Sequence, residues 1–129
     1  MNPKISFDTV RKFGFEHPNV SESISFGKPA LKVDGKMFVC MASHKSAEPD
    51  SLVVRVDFEQ RAELLAADPN VYYITDHYEG YPGVLVRLAR VKADVLRDIV
   101  GMAYQLVSRE LAESRIRKKP AAKSKRKLT

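Results

Sequence analysis

The chain has 129 residues, 44% hydrophobic and 29% charged, enough for one domain with a real core and too few for a second. A single cysteine, Cys40, excludes an internal disulfide and every multi-cysteine zinc motif. The formal net charge of +6 is unevenly held, because residues 115–129 carry eight Lys/Arg and no acid while the preceding 114 residues sum to −2. Phe7, Val10 and Phe13 recur at helical spacing behind Ser6, which predicts a first helix capped by Ser6 and ended by His17-Pro18. Three short extended segments follow, Glu22–Phe26, Ala30–Val33 and Lys36–Ala42, broken by Gly27-Lys28-Pro29 and by Asp34-Gly35. Asp-Gly between two apolar runs predicts a two-residue hairpin turn, since both residues tolerate positive φ. Residues 43–50 are polar and read as a loop, and Ser51–Val56 alternates as a strand.

Asp57 with Gln60 three residues on predicts a capped helix carrying Phe58, Ala62 and Leu65 on its apolar side and stopping at Asp68-Pro69. Val71–Thr75 and Val84–Ala89 read as strands joined by the turn-rich residues 76–83. From Lys92 to about Ala112, Val95, Leu96, Ile99, Met102, Ala103, Leu106 and Val107 give a long amphipathic closing helix. This order predicts an α+β fold, an antiparallel sheet with the N- and C-terminal helices on one face. No apolar run approaches the ~18–20 residues that span a bilayer, and MNPKISFDTV has no apolar h-region, so the expected setting is cytoplasmic, without a membrane partner.

Period two assigns the open side of that sheet. Leu52, Val54 and Val56 share one face and Val84, Val86 and Leu88 another such row, so Arg55, Arg87 and Lys32 are expected on the opposite face. Three cations there could meet phosphate, or could be ordinary solvated decoration paired with nearby acids. Tyr72, Tyr73, Tyr78 and Tyr81 are dense for a chain without tryptophan; their rings could stack on bases, or pack down as a lid. Chemistry is otherwise sparse. No glycine-rich phosphate loop or GxSxG turn is present, His17, His44 and His77 lack metal-ligand spacing, and Cys40 reads as a small buried hydrophobe. Asp76-His77 sits in a turn, where capping is commoner than acid–base work. No catalytic residue, metal or cofactor is expected.

The division expected is a domain over 1–114 and a disordered basic tail over 115–129, holding Arg115, Arg117, Lys118, Lys119, Lys123, Lys125, Arg126 and Lys127. Such an arm suits DNA or another polyanion through counterion release, or serves only to solubilise.

The segments FGKPALKVDGKMF, VRVDFEQRAELLAADP and HYEGYPGVLVRL, in this order, resemble the MmcQ/YjbR-like family, with likeness from about Phe7 to Val107. The resemblance implies a frataxin/CyaY-like sandwich, a DNA-binding role and a bacterial cytoplasmic setting, and brings no catalytic residues. Lys28, Lys32, Arg55, Asp76, His77, Tyr78, Tyr81 and Arg87 are its motif positions here. Iron handling does not fit, because Asp8 and Glu16 stand among Arg11 and Lys12 without an acidic helix face. The leading expectation is a non-enzymatic nucleic-acid-associated protein, monomeric or weakly oligomeric, binding through the tail, Lys28, Lys32, Arg55, Arg87 and the Tyr78–Tyr81 loop. Two alternatives stand: a small-molecule or protein-partner binding module with its pocket under that loop, and an enzyme using Asp76-His77.

Overall fold

A computed structural model describes residues 5–128, with side chains described over 5–116. Helix α1 (Phe7–Gly14) is followed by strands β1 (Val20–Ser25), β2 (Lys28–Val33), β3 (Lys36–Met41) and β4 (Ser51–Arg55). Then come α2 (Phe58–Ala67), β5 (Tyr72–Tyr73), one 3-10 turn (Asp76–Tyr78), β6 (Gly83–Arg87) and α3 (Ala93–Leu128). Local chemistry sets the helix starts: Ser6 with Thr9, and Asp57 with Gln60, form reciprocal capping boxes that satisfy otherwise orphan N–H groups.

The strands make one antiparallel sheet in the order β1-β2-β3-β4-β6-β5. Asp34 and Gly35 form the expected turn between β2 and β3, at φ 48° and 84°. The break expected at Gly27-Lys28-Pro29 sits one residue earlier. Phe26 and Gly27 make the turn, at φ 51° and 79°, and Pro29 belongs to β2. Pro29 pairs with Ile24 but precedes the stretch of β2 that pairs with β3, where its missing N–H would leave a gap.

Leu52, Val54, Val56, Val84, Val86 and Leu88 face the helices as expected, against Val10 of α1 and Leu96, Ile99, Ala103 and Val107 of α3. Gly14 lets α1 lie close on β2, since a Cβ there would meet Leu31 Cδ1 at 2.3 Å. A bulge at Phe38 shifts the register between Leu31↔Val39 and Lys32↔Met37. Phe38 and Val39 therefore both enter the helix-side core, while Cys40 turns to the other face.

Helix α2 departs from the expected apolar stripe. Phe58 and Ala62 are exposed, Leu65 is half-buried, and the residue it buries is Arg61. The closing helix continues past Ala112 to Leu128. The expected disorder of the basic tail falls largely on residues 117–129, whose side chains lie outside the described ones.

Candidate functional site

The cationic sheet face expected from the period of two does not form. Arg55 is buried, its Nη2 donating to Glu110 Oε2 of α3 at 2.8 Å and its Nε to the Pro82 carbonyl at 2.9 Å. Arg87 grips Glu48 with two bonds, 2.9 and 2.8 Å, donates to the carbonyls of Pro69 and Asn70, and lies 4.2 Å over the Tyr73 ring. Lys32 is half-buried on β2, across from Ser21 and Met37, and Lys28 is exposed at the start of that strand. Both arginines sit at strand ends, where a long side chain can curl back to a loop or helix carboxylate. Ion pairing within the fold thus takes them away from an open surface.

In place of cations, the face away from α1 and α3 carries a second, smaller apolar cluster of Ala30, Cys40, Val53 and Leu85. Tyr73, Tyr78 and Tyr81 pack against it, so the tyrosine-rich connection covers part of the sheet. Beside this cover lies a pocket of about 260 Å³. Val53 and Cys40 lie on its sheet side, Met37 and Met41 of β3 add thioethers, and Tyr78, Tyr81 and His77 come from the 3-10 turn and the loop after it. Ser25, Phe26 and Ser43 complete it. Phe26 is 90% exposed and holds a left-handed backbone that a bulky side chain adopts at a cost of about 1 kcal/mol or more. Burial pushes the Cys40 thiol up to about 11, and raises Tyr78 and Tyr81 above the ordinary phenol value. The pocket's thiol and phenols are therefore uncharged at neutral pH.

Arg61 fixes this wall. Its guanidinium donates to the carbonyls of Tyr78, Glu79, Tyr81 and Gly83 at 2.8 to 3.4 Å and lies 4.7 Å over the Phe58 ring. One buried fork from α2 thereby sets the path of the residues that carry both pocket tyrosines. On the outer side, the His44 and His77 rings stack at 3.5 Å, within 9° of parallel. The Ser46 N–H donates to His44 Nδ1 at 3.1 Å, and the Ser46 hydroxyl lies 2.7 Å from the same nitrogen. Ser46 Oγ and Thr75 Oγ1 share a hydrogen bond at 2.8 Å, tying loop 43–50 to the tyrosine connection. Desolvation first, then His77 and Lys45, hold the His44 imidazole below its ordinary value.

The structure brings three of the motif positions, His77, Tyr78 and Tyr81, to the pocket wall and sets Arg55 5.9 Å over the Tyr81 ring, while Lys28, Lys32, Asp76 and Arg87 do not line the pocket. Asp76 opens the 3-10 turn and is exposed. Arg115 is exposed, 3.8 Å from Asp34, while Arg117, Lys118, Lys119, Lys123, Lys125, Arg126 and Lys127 lie outside the residues whose side chains are described. Sequence reasoning missed Arg61 and Phe26. The signals were an arginine three residues after Phe58 on a short capped helix, and an aromatic directly before a turn glycine. Among the described residues, no three His, Cys, Asp or Glu gather to hold a metal ion, and no helix is long and apolar enough to cross a membrane.

The YjbR family model matches residues 15–106. The chain belongs to the YjbR family. The match spans the whole sheet from β1 to β6 and most of the apolar stripe of α3, so the family signature covers both faces and the pocket. Uncharacterized protein Mb2600 of Mycobacterium bovis is 34% identical over 98 residues, 70% of this chain and 75% of that protein. Uncharacterized protein Rv2570 of Mycobacterium tuberculosis matches with the same identity and coverage. Among solved structures, Deinococcus radiodurans protein DR2400, with its DUF419 domain, superposes with a TM-score of 0.67 at 25% identity. The alignment covers 83% of this chain and 81% of that one.

Proposed function

We propose that this YjbR-family protein is a cytoplasmic binding module, not an enzyme, whose pocket on the free sheet face takes a small, largely apolar ligand. The observation that carries the reading is the pocket itself: about 260 Å³, rimmed by an exposed aromatic in an unfavourable backbone conformation. Local strain of that kind persists where the surrounding structure imposes it, and it clusters at ligand sites. No nucleophile–base pair supports a reaction here: the pocket thiol is protonated at neutral pH, and the His44–His77 pair makes ring-to-ring contact. The test is an amide NMR titration of the full chain with apolar fragments of both charges and none. Shifts centred on Cys40, Val53 and Tyr78 support the reading; a panel that leaves those amides unmoved removes it.

A second reading rests on a separate observation, the eight cations without an acid in residues 115–129. Such a segment would give sequence-independent affinity for DNA or another polyanion. The internal pairing of Arg55 and Arg87 weakens the secondary, sheet-face part of this reading and leaves the tail to carry it. Engagement of about six to eight phosphates gives a slope of log K against log salt near −5 to −7. Replacing the seven cations from Arg117 to Lys127 by glutamine in the full chain should flatten that slope. An unchanged slope would remove the tail from the account.

A further inference from the structure

The composition of the pocket wall narrows its ligand further. None of the described residues lining it is Lys, Arg, Asp or Glu. The guanidinium groups that contact the tyrosine wall are committed elsewhere. Arg55, 5.9 Å over the Tyr81 ring, is held by Glu110 and Pro82, and Arg61 is held by four carbonyls. A ligand carboxylate or ammonium would lose water here and find no opposite charge, which disfavours it.

Size and surface add to this. A cavity of about 150 Å³ takes benzene, so 260 Å³ has room for a second ring. The sheet side offers Val53 and Cys40, and the surround offers Phe26 and two tyrosine rings. Aromatic pairs prefer offset or edge-to-face contact with such rings, and the thioethers of Met37 and Met41 make favourable contacts with aromatic carbons. Polar groups are few: the Tyr78 hydroxyl, already bonded to the His44 backbone, the Tyr81 hydroxyl, the Cys40 thiol, His77, Ser25 and Ser43. They suit one hydrogen-bonding group on the ligand.

We propose that the pocket is a site for a neutral, flat, two-ring aromatic molecule bearing a single hydroxyl or ring N–H, and that it rejects the carboxylate counterpart. This rests on the reading of the pocket as the ligand site. The full chain is titrated at neutral pH with 2-naphthol, 2-naphthoate and phenol, following the Cys40 and Val53 amides. The expected result is 2-naphthol binding about tenfold or more tightly than either other probe. Equal or tighter binding of 2-naphthoate overturns the neutral class, and equal binding of phenol overturns the two-ring class; both leave the pocket reading standing. A set of probes that moves neither amide overturns the ligand class and the pocket reading together. Met37→Trp, which fills the pocket from a half-buried position away from the helix-side core, should weaken 2-naphthol about tenfold. Phe26→Asn, at an exposed turn, gives a second variant that leaves the interior untouched. Undiminished 2-naphthol affinity in both variants would place the bound molecule elsewhere and overturn the proposal.

Discussion

The two faces of the sheet use alternate residues of the same strands and are closed in different ways. Toward the helices, Leu52, Val54, Val84 and Val86 meet aliphatic side chains from α1 and α3, and non-directional packing closes the layer. Toward the other side, Val53 and Leu85 meet Tyr73 of the short strand β5 and Tyr78 and Tyr81 of the irregular connection after it, side chains whose positions are set by directed polar bonds. Tyr73 shows the principle: its hydroxyl accepts from the Glu48 N–H at 2.8 Å and bonds the Ser51 hydroxyl, so loop 43–50 is pinned to β4 and β5. Helices fill the space they cover. Loops held by a few hydrogen bonds leave part of it open, and the pocket is what remains.

If this contrast is right, matched truncations on the two faces should differ. Leu52 and Leu85 are both fully buried, on neighbouring strands and opposite faces. Leu52→Ala should cost about 3–4 kcal/mol, because a helix-packed core collapses poorly around a void. Leu85→Ala should cost about 2 kcal/mol, because loops beside a pocket can relax into the space. Urea unfolding measures both; the reverse order would break the contrast.

Arg61 tests the polar side of the argument. Arg61→Ala should cost about 2–3 kcal/mol, since it strips four carbonyls of their donor as well as removing a packed side chain. Its amide NMR changes should concentrate at residues 78–83 and leave the helix-side core in place. Arg61→Lys should recover only part of the loss, because an ammonium cannot reproduce the planar fork. Full rescue by lysine would mean that charge, not geometry, holds the loop.

Glu110 joins α3 to two strands, accepting from Lys36 at 2.9 Å and Arg55 at 2.8 Å. Burial raises its pKa, but the bonds and charges of Lys36 and Arg55 outweigh that, and the net position is below the ordinary 4.5. A carboxylate depressed in the fold contributes stability above its unfolded value, lost as pH falls through its folded one. Glu110→Gln should therefore destabilise by about 1–2 kcal/mol at pH 7, discounted for partial exposure, and by little in strong acid. A pH-independent difference would remove the ion pair from the account.

His44 gives a smaller effect with the same sign on the free face. Its folded pKa lies below the ordinary 6.5, so the neutral ring's contribution is present above that value and lost as pH falls through the folded pKa. The amides of Ser46 and Thr75 should shift with the His44 titration while those of β4 stay fixed. Titration of His44 above the ordinary value would contradict its acceptor role toward Ser46.

How much of this was legible in the sequence follows the same division. The capping residues Ser6 and Asp57, the Asp34-Gly35 turn, the six strands and the helix-facing rows are local or periodic features, and each was readable. The destination of long polar side chains was not. Period two assigns Arg55 a face, but only the fold brings Glu110, 55 positions away, within 2.8 Å of its guanidinium. Arg61 was hidden for a related reason: a buried cation satisfied by backbone carbonyls leaves no charged partner in the sequence. The pocket was legible only in part: the alternative reading put one under the Tyr78–Tyr81 loop, but its other walls, from β1–β2, β3 and β4, meet through contacts that no spacing encodes.

The smallest expected effect is the most direct test of why the free face stays open. Phe26 and Gly27 occupy a two-residue turn in which both φ values are positive, a geometry for which Asn-Gly is the favoured pair. Phenylalanine is poorly suited there, and at 90% exposure its ring gains little from burial. Phe26→Asn should therefore raise stability by about 0.5 kcal/mol, relieving backbone strain while the ladder between β1 and β2 is kept. The same change removes an aromatic wall of the pocket, so affinity for a neutral aromatic probe should fall as stability rises. Opposite signs in urea unfolding and ligand titration would identify Phe26 as a residue kept for binding at the expense of the fold. A loss of stability on the asparagine substitution would instead show the ring packing on the hairpin, and the case for a strained rim would fail.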